Sequence, residues 1–172
     1  SNVCASAVTT AGYGEGADGG YLNAAGGGAY GGSGGRGYGW LGSQVGGYAY
    51  GSALRPNLFG SGGGKSTTAA GGAGGGYIKF IVSDTLNLTG KVTANGNNGT
   101  IGDNLAGAGG SGGSIWVSAN TLIGSGNFTA NGGSGVAGGG TWSGGCSGGR
   151  IAVYFNSSSL NFATSTVGGG FG

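Results

Sequence analysis

The sequence predicts an all-β protein. The expected form is a glycine-rich parallel β-solenoid of the β-helix kind, built from repeats of about 36 residues, with a flattened β-sandwich carrying extended glycine-rich strands as the alternative. Three observations carry that expectation. A segment recurs at a nearly constant spacing, apolar residues inside it alternate with period two, and no stretch holds a helical period of useful length.

In chain order, residues 1–172 read as a single domain. A glycine- and tyrosine-rich part covers 1–76, and three β units cover 77–112, 113–148 and 149–172. The first part carries Tyr13, Tyr21, Tyr30, Tyr38, Trp40, Tyr48 and Tyr50 among its glycines. The first unit opens with Gly75-Gly76-Tyr77-Ile78-Lys79-Phe80-Ile81-Val82, the second with Gly112-Gly113-Ser114-Ile115-Trp116-Val117, and the third with Gly148-Gly149-Arg150-Ile151-Ala152-Val153-Tyr154-Phe155. Thr93-Ala94-Asn95-Gly96 of the first returns 36 positions later as Thr129-Ala130-Asn131-Gly132. The third unit continues through Leu160-Asn161-Phe162, with about two extra residues near Ser157.

Within the units Ile78, Phe80 and Val82 share one face, as do Ile115 with Val117 and Ile151 with Val153 and Phe155. Branched and aromatic residues at alternate positions are a strand signal. Shorter strands are expected at Leu86–Leu88 and Val92–Ala94, matched by Leu122 and Phe128–Ala130. The spans 96–113 and 132–149 are too long for hairpin loops. They read as extended, polyproline-II-like or turn-rich stretches lying where only glycine lets backbones approach.

Composition excludes several function classes. Glycine supplies 52 of 172 residues, there is one proline (Pro56), and His and Met are absent. Six bases and four acids leave a net charge of +2, too weak and dispersed for a nucleic-acid-binding stripe. Low charge with clustered aromatic and branched residues argues against disorder. No run approaches the roughly 20 apolar residues of a membrane span. Without an initiating Met or a signal-like start, the chain reads as a mature product or an excised piece of one.

Cys4 and Cys146 suggest a disulfide in a secreted chain. It would close a long loop and constrain the unfolded state by about 4–5 kcal/mol, while two free buried thiols are the alternative. Asn-x-Ser/Thr sequons at Asn87, Asn98, Asn127 and Asn156 are candidate N-glycosylation sites, and glycans would hydrate a chain so poor in charge.

Other motifs count for less. Gly60-Ser61-Gly62-Gly63-Gly64-Lys65-Ser66 superficially resembles a phosphate loop, but Phe59 stands where its first glycine belongs and no helix pattern follows. Glu15 and Asp18 fit one copy of a calcium-binding turn that works only in tandem. With no imidazole and scattered carboxylates, no catalytic group, metal site or cofactor is expected. Trp40, Trp116 and Trp142, together with the many tyrosines, are candidate stacking platforms for sugar rings. In the repeat register Trp116 matches Lys79 and Ala152, which favours packing over exposure.

The run Tyr50-Gly51-Ser52-Ala53-Leu54-Arg55-Pro56-Asn57-Leu58-Phe59-Gly60-Ser61-Gly62-Gly63-Gly64 resembles a signature of large glycine-rich surface proteins of protists and bacteria. So do the segments at 112–133 and 148–154, and the resemblance covers roughly residues 12–170. It implies an extracellular, repeat-built β architecture inside very large chains, and carries over no catalytic or ligand residue.

Together these readings predict a non-catalytic structural protomer of an extracellular filament or cell-surface fibre. It would associate with itself and carry glycans, with no nucleic-acid partner and no membrane span. An adhesive or carbohydrate-binding surface module is the alternative.

Overall fold

The computed structural model describes residues 14–20 and 23–172 in full and residues 3–4 as backbone. Tyr13, Tyr21 and the Cys4 side chain lie outside the described residues. The strands in chain order are Val3–Cys4 (β1), Gly37–Gly39 (β2), Gly42–Gln44 (β3), Tyr77–Leu88 (β4), Lys91–Thr93 (β5) and Ile101–Gly102 (β6). Leu105–Ala106 (β7), Ser114–Gly124 (β8), Asn127–Thr129 (β9), Ala137–Gly138 (β10), Thr141–Trp142 (β11) and Arg150–Ser158 (β12) follow, with a 3-10 turn at Phe162–Thr164. No α-helix occurs among the described residues.

The long strands form where alternating branched and aromatic residues leave little room for any other backbone. They pair in parallel in the order β12-β8-β4. Ile78, Ile115 and Ile151 share one rung, and Phe80, Val117 and Val153 another. A second parallel sheet, β1-β5-β9, sets Val92 beside Phe128. Ile78, Val92, Ala94, Ile115, Val117, Leu122, Phe128, Ala130 and Leu160 make one buried cluster, drawn from the inward faces of both sheets.

The repeat spacing is interrupted twice. A register shift between Val82 and Thr85 sets two residues of β4, Ser83 and Asp84, against one of β8, Asn120, a bulge that changes the offset between the strands. The third unit takes up one extra residue, since Ser158 pairs with Leu122 but Thr166 bridges Thr129.

The predicted parallel β-solenoid is corrected here, and so is its alternative, the flattened sandwich. The strands fall into small, separate sheets, two parallel (β12-β8-β4 and β1-β5-β9) and two antiparallel (β10-β11-β2-β3 and β6-β7), and none of them closes. The antiparallel hairpins interrupt the glycine-rich spans. Asp103 and Asn104, at φ 44° and 62°, turn β6 into β7, and Gly139 and Gly140, at φ 53° and 83°, turn β10 into β11. Positive φ at both central residues is the geometry that joins two strands with a right-handed twist.

The remaining glycine-rich chain extends no sheet, because its main-chain hydrogen bonds leave in three directions instead of two. In the segment 60–65, the amides of Gly60 and Gly63 donate to the carbonyls of Gly75 and Gly72 (2.9 and 3.0 Å). The carbonyls of Ser61 and Gly64 accept from Ser111 and Ala108 (2.9 and 3.1 Å). Those of Gly62 and Lys65 accept from Gly16 and Gly19 (3.4 and 2.8 Å). Each neighbour is met at every third residue, the periodicity of a polyproline II helix, whereas a strand would repeat every second residue.

The segment 107–113 lies at the centre of this bundle. The amides of Gly107, Gly110 and Gly113 donate to Thr100, Asn97 and Ala94. Those of Ala108 and Ser111 donate to Gly64 and Ser61, and those of Gly109 and Gly112 to Gly144 and Ser147. At many glycines such spacing admits no side chain. A Cβ built on Gly28 would stand 2.5 Å from the Ser61 carbonyl oxygen and 2.7 Å from that of Gly62.

Side chains around Tyr30 fasten the bundle to the strand units. The fully buried Tyr30 shares a 2.6 Å hydrogen bond between its hydroxyl and Ser114 Oγ. Its ring lies 4.9 Å from that of Tyr50 and 5.4 Å from the Arg150 guanidinium. Arg150 in turn donates from Nη2 to the Tyr50 carbonyl at 3.0 Å.

Candidate functional site

The four-stranded antiparallel sheet and its hairpin turn bring together three exposed aromatic side chains, Tyr38, Trp40 and Trp142. Tyr38 of β2 pairs with Trp142 of β11 on one side and with Ser43 of β3 on the other. Directly opposed residues project to the same face of a sheet. The neighbouring positions project to the opposite face: Thr141 and Gly37 are buried there, Gly37 against the Ala25 carbonyl. Inward small residues and outward rings follow from period-two alternation in Gly37-Tyr38-Gly39-Trp40 and Thr141-Trp142.

The outward rings are held by their surroundings. Trp40 donates from Nε1 to the Gly139 carbonyl at 3.0 Å, and its indole lies over Gly140, where a Cβ would stand 2.7 Å from the ring. Trp40 thus joins the β2–β3 hairpin to the β10–β11 hairpin. Tyr38, Trp40 and Trp142 remain 55, 70 and 56 % exposed. Arg36 stands at the margin, donating from Nη1 to Ser43 Oγ at 3.3 Å. A groove of about 470 Å³ runs beside Tyr38 and Trp142, with Ser33, Gly35 and Arg36 along its wall.

Trp116 belongs elsewhere. It pairs with Lys79 and Ala152, is half-buried, and carries the Lys79 ammonium 4.2 Å above its ring. Ser114 Oγ donates to the Leu58 carbonyl and the Tyr154 hydroxyl to the Leu54 carbonyl, so residues 54–58 pass over part of that sheet face.

The candidate cysteine and asparagines are dispersed. Cys146 is a free, buried thiol whose Sγ donates to the carbonyls of Gly110 and Gly133. Burial pushes its pKa up to about 12, against smaller opposing effects of main-chain hydrogen bonds, so it stays a thiol under ordinary conditions. The pairing proposed for Cys4 falls on a side chain outside the described residues. Asn87 and Asn98 are exposed, on β4 and just beyond β5. Asn127 donates from Nδ2 to the Thr164 carbonyl at 3.1 Å, and Asn156 to Asn120 Oδ1 at 2.7 Å.

The phosphate-loop look-alike has four of its amides already engaged. Those of Gly60, Ser61, Gly63 and Gly64 are bound to Gly75, Ser111, Gly72 and Gly26. Asp18 accepts the Lys65 amide at 3.0 Å. Among the described residues no cluster of three or more His, Cys, Asp or Glu side chains is placed to hold a metal ion, and no helix is long and apolar enough to cross a membrane.

Sequence reasoning singled out Trp40 and Trp142, included Tyr38 only among many tyrosines, and missed Arg36. The available signals were the alternation in Gly37-Tyr38-Gly39-Trp40 and the Gly139-Gly140 pair as a hairpin turn. No protein-family description matches the chain, and neither does any curated protein or solved structure.

Proposed function

We propose that the chain is a non-catalytic structural protomer of an extracellular filament or cell-surface fibre. The observation that carries this reading is that, among the described residues, no strand pairs with the outer edge of β12 or of β4 in the sheet β12-β8-β4. An open strand edge offers a row of amides and carbonyls to another chain. β4 and β12 run parallel, and each is in register with β8. The regular stretch Tyr77–Val82 of one copy therefore fits beside Arg150–Phe155 of the next. Such a contact joins two different surfaces, and repeated without closure it generates a filament.

Two features favour β12 as the more open edge. Beyond Arg150 it carries no charge and no proline, the residues that usually blunt an edge, whereas β4 carries Lys79, Asp84 and a bulge. Ile81 on β4 is 71 % exposed, and Tyr154 and Phe155 on β12 are exposed as well. The resemblance of residues 12–170 to glycine-rich surface proteins supports an extracellular place. Glycans at Asn87 and Asn98, the two sequon asparagines with exposed side chains and no Nδ2 hydrogen bond within the described fold, would hydrate the surface. Side chains stand perpendicular to a sheet, so a glycan on Asn87 leaves the edge itself clear.

Electron microscopy of native material, paired with sedimentation of the purified chain, tests the reading. Filaments that give way to monomers in Asn156→Lys, which puts a charge on the β12 edge, are the expected result. Compact monomers in both preparations at all concentrations would refute it.

A further inference from the structure

We infer that the outward face of the sheet β10-β11-β2-β3 binds a pyranose ring of an acidic polysaccharide, with Tyr38 and Trp142 as its stacking platform and Arg36 as the partner of the sugar carboxylate. The inference does not rest on the filament reading, because this face is separate from the β4 and β12 edges.

The case starts from what the backbone builds. Two short hairpins meet edge to edge through Trp142 and Tyr38, whose pairing places both rings on one side, with Trp40 at the tip of the β2–β3 hairpin. All three are more than half exposed, although the same chain buries Tyr30 and Phe128 completely. The opposite face is closed by Gly37 and Thr141, so the rings cannot sink into a core. Trp40 is locked by its bond to Gly139 and its packing on Gly140, which stiffens the junction between the hairpins. A pre-set aromatic surface loses little conformational freedom on binding.

Ligand chemistry follows from the margin. A sugar ring presents a face of C–H groups that lies flat on an aromatic ring, while its hydroxyls and any carboxylate point outward to polar partners. Arg36 and Ser33 lie along the groove beside Tyr38 and Trp142, and its volume of about 470 Å³ falls within the range of small-ligand sites. Arg36 bonds only the neutral Ser43 hydroxyl, and no described carboxylate pairs with it. Its planar fork is therefore left to receive a carboxylate, which selects uronate-type over neutral sugars.

The test is calorimetric titration of the full chain with de-esterified oligogalacturonate, and with a neutral xylo-oligosaccharide as comparison. Binding runs in parallel on the Asn156→Lys chain, so that loss of assembly and loss of sugar binding are read separately. Saturable binding of the acidic sugar is expected, weakened about tenfold or more in Trp142→Ala. Arg36→Gln should remove the preference over the neutral sugar, and added salt should weaken binding. Tyr38→Phe, which keeps the ring, should retain binding, so the platform is tested even if Tyr38→Ala does not fold. Equal affinity for both sugars would overturn the acidic assignment. No binding to either, or Trp142→Ala abolishing only self-association, would overturn the site.

Discussion

At the rung Ile78–Ile115–Ile151 neighbouring chains meet through branched side chains, whereas at Gly28 they meet as bare backbone against the carbonyls of Ser61 and Gly62. The first kind of contact belongs to the strand units, where apolar burial supplies the stabilisation. The second belongs to the glycine-rich bundle. There each segment bonds several neighbours in a three-residue cycle, and most of the side chains it buries are small, such as Ala29, Ala108, Ser61 and Ser111. The difference shows that a chain poor in side chains can still exclude water from its backbone, provided nearly every amide finds a carbonyl.

The comparison can be broken from either side. The largest effect is expected in the strand units, where Phe128→Ala empties a fully buried position. It should cost about 3–5 kcal/mol in denaturant unfolding. Nearly as large is Gly28→Ala, a single added methyl group that should cost about 3 kcal/mol. Both facing atoms are main-chain oxygens of a neighbouring segment and cannot turn aside. If Gly28→Ala proves neutral, the bundle is looser than its hydrogen bonds imply.

An intermediate effect is expected with pH. The Cys146 thiol is pushed from 9.0 up to about 12 in the folded chain, mainly by burial. The folded state therefore holds its proton where the unfolded chain has lost it. Stability from this group is complete below about pH 9 and is lost as pH rises towards about 12. Alkaline unfolding monitored with and without Cys146→Ala should show the steeper decline in the native chain. The smallest effect is expected at Gly62→Ala, whose added Cβ would have only the Gly72 carbonyl within reach, at 3.6 Å. That variant should be neutral or more stable by about 0.4–1 kcal/mol, since alanine restricts the unfolded chain. It shares a segment with residues that tolerate nothing, so it sharpens the contrast most.

Legibility in the sequence follows the same division. The all-β character, the faces of Ile78, Ile115 and Ile151, and the match of Trp116 to Lys79 and Ala152 were readable because side chains carry alternation and register. The joining of 85–88 to the preceding strand in one continuous β4 was hidden by the bulge at Val82–Thr85. Within the glycine tracts no pattern distinguishes one partner from another. The division into separate sheets, and the convergence of segments near residues 16, 28, 62, 73, 110 and 145, therefore left no trace. The hairpin carrying Trp142 and the hairpin β6–β7 were obscured for the same reason, although Gly139-Gly140 and Asp103-Asn104 are turn pairs in plain view.

The claim that the glycine-rich spans form a packed, hydrogen-bonded bundle is tested most directly by residue-resolved amide hydrogen exchange. The amides of Gly28, Gly72, Gly110 and Gly113 donate to Gly109, Ala108, Asn97 and Ala94, and should be protected to the same order as those of Ile115 and Val117. Exchange of these glycines at the rate of open loops, with protection confined to β4, β8 and β12, would contradict it.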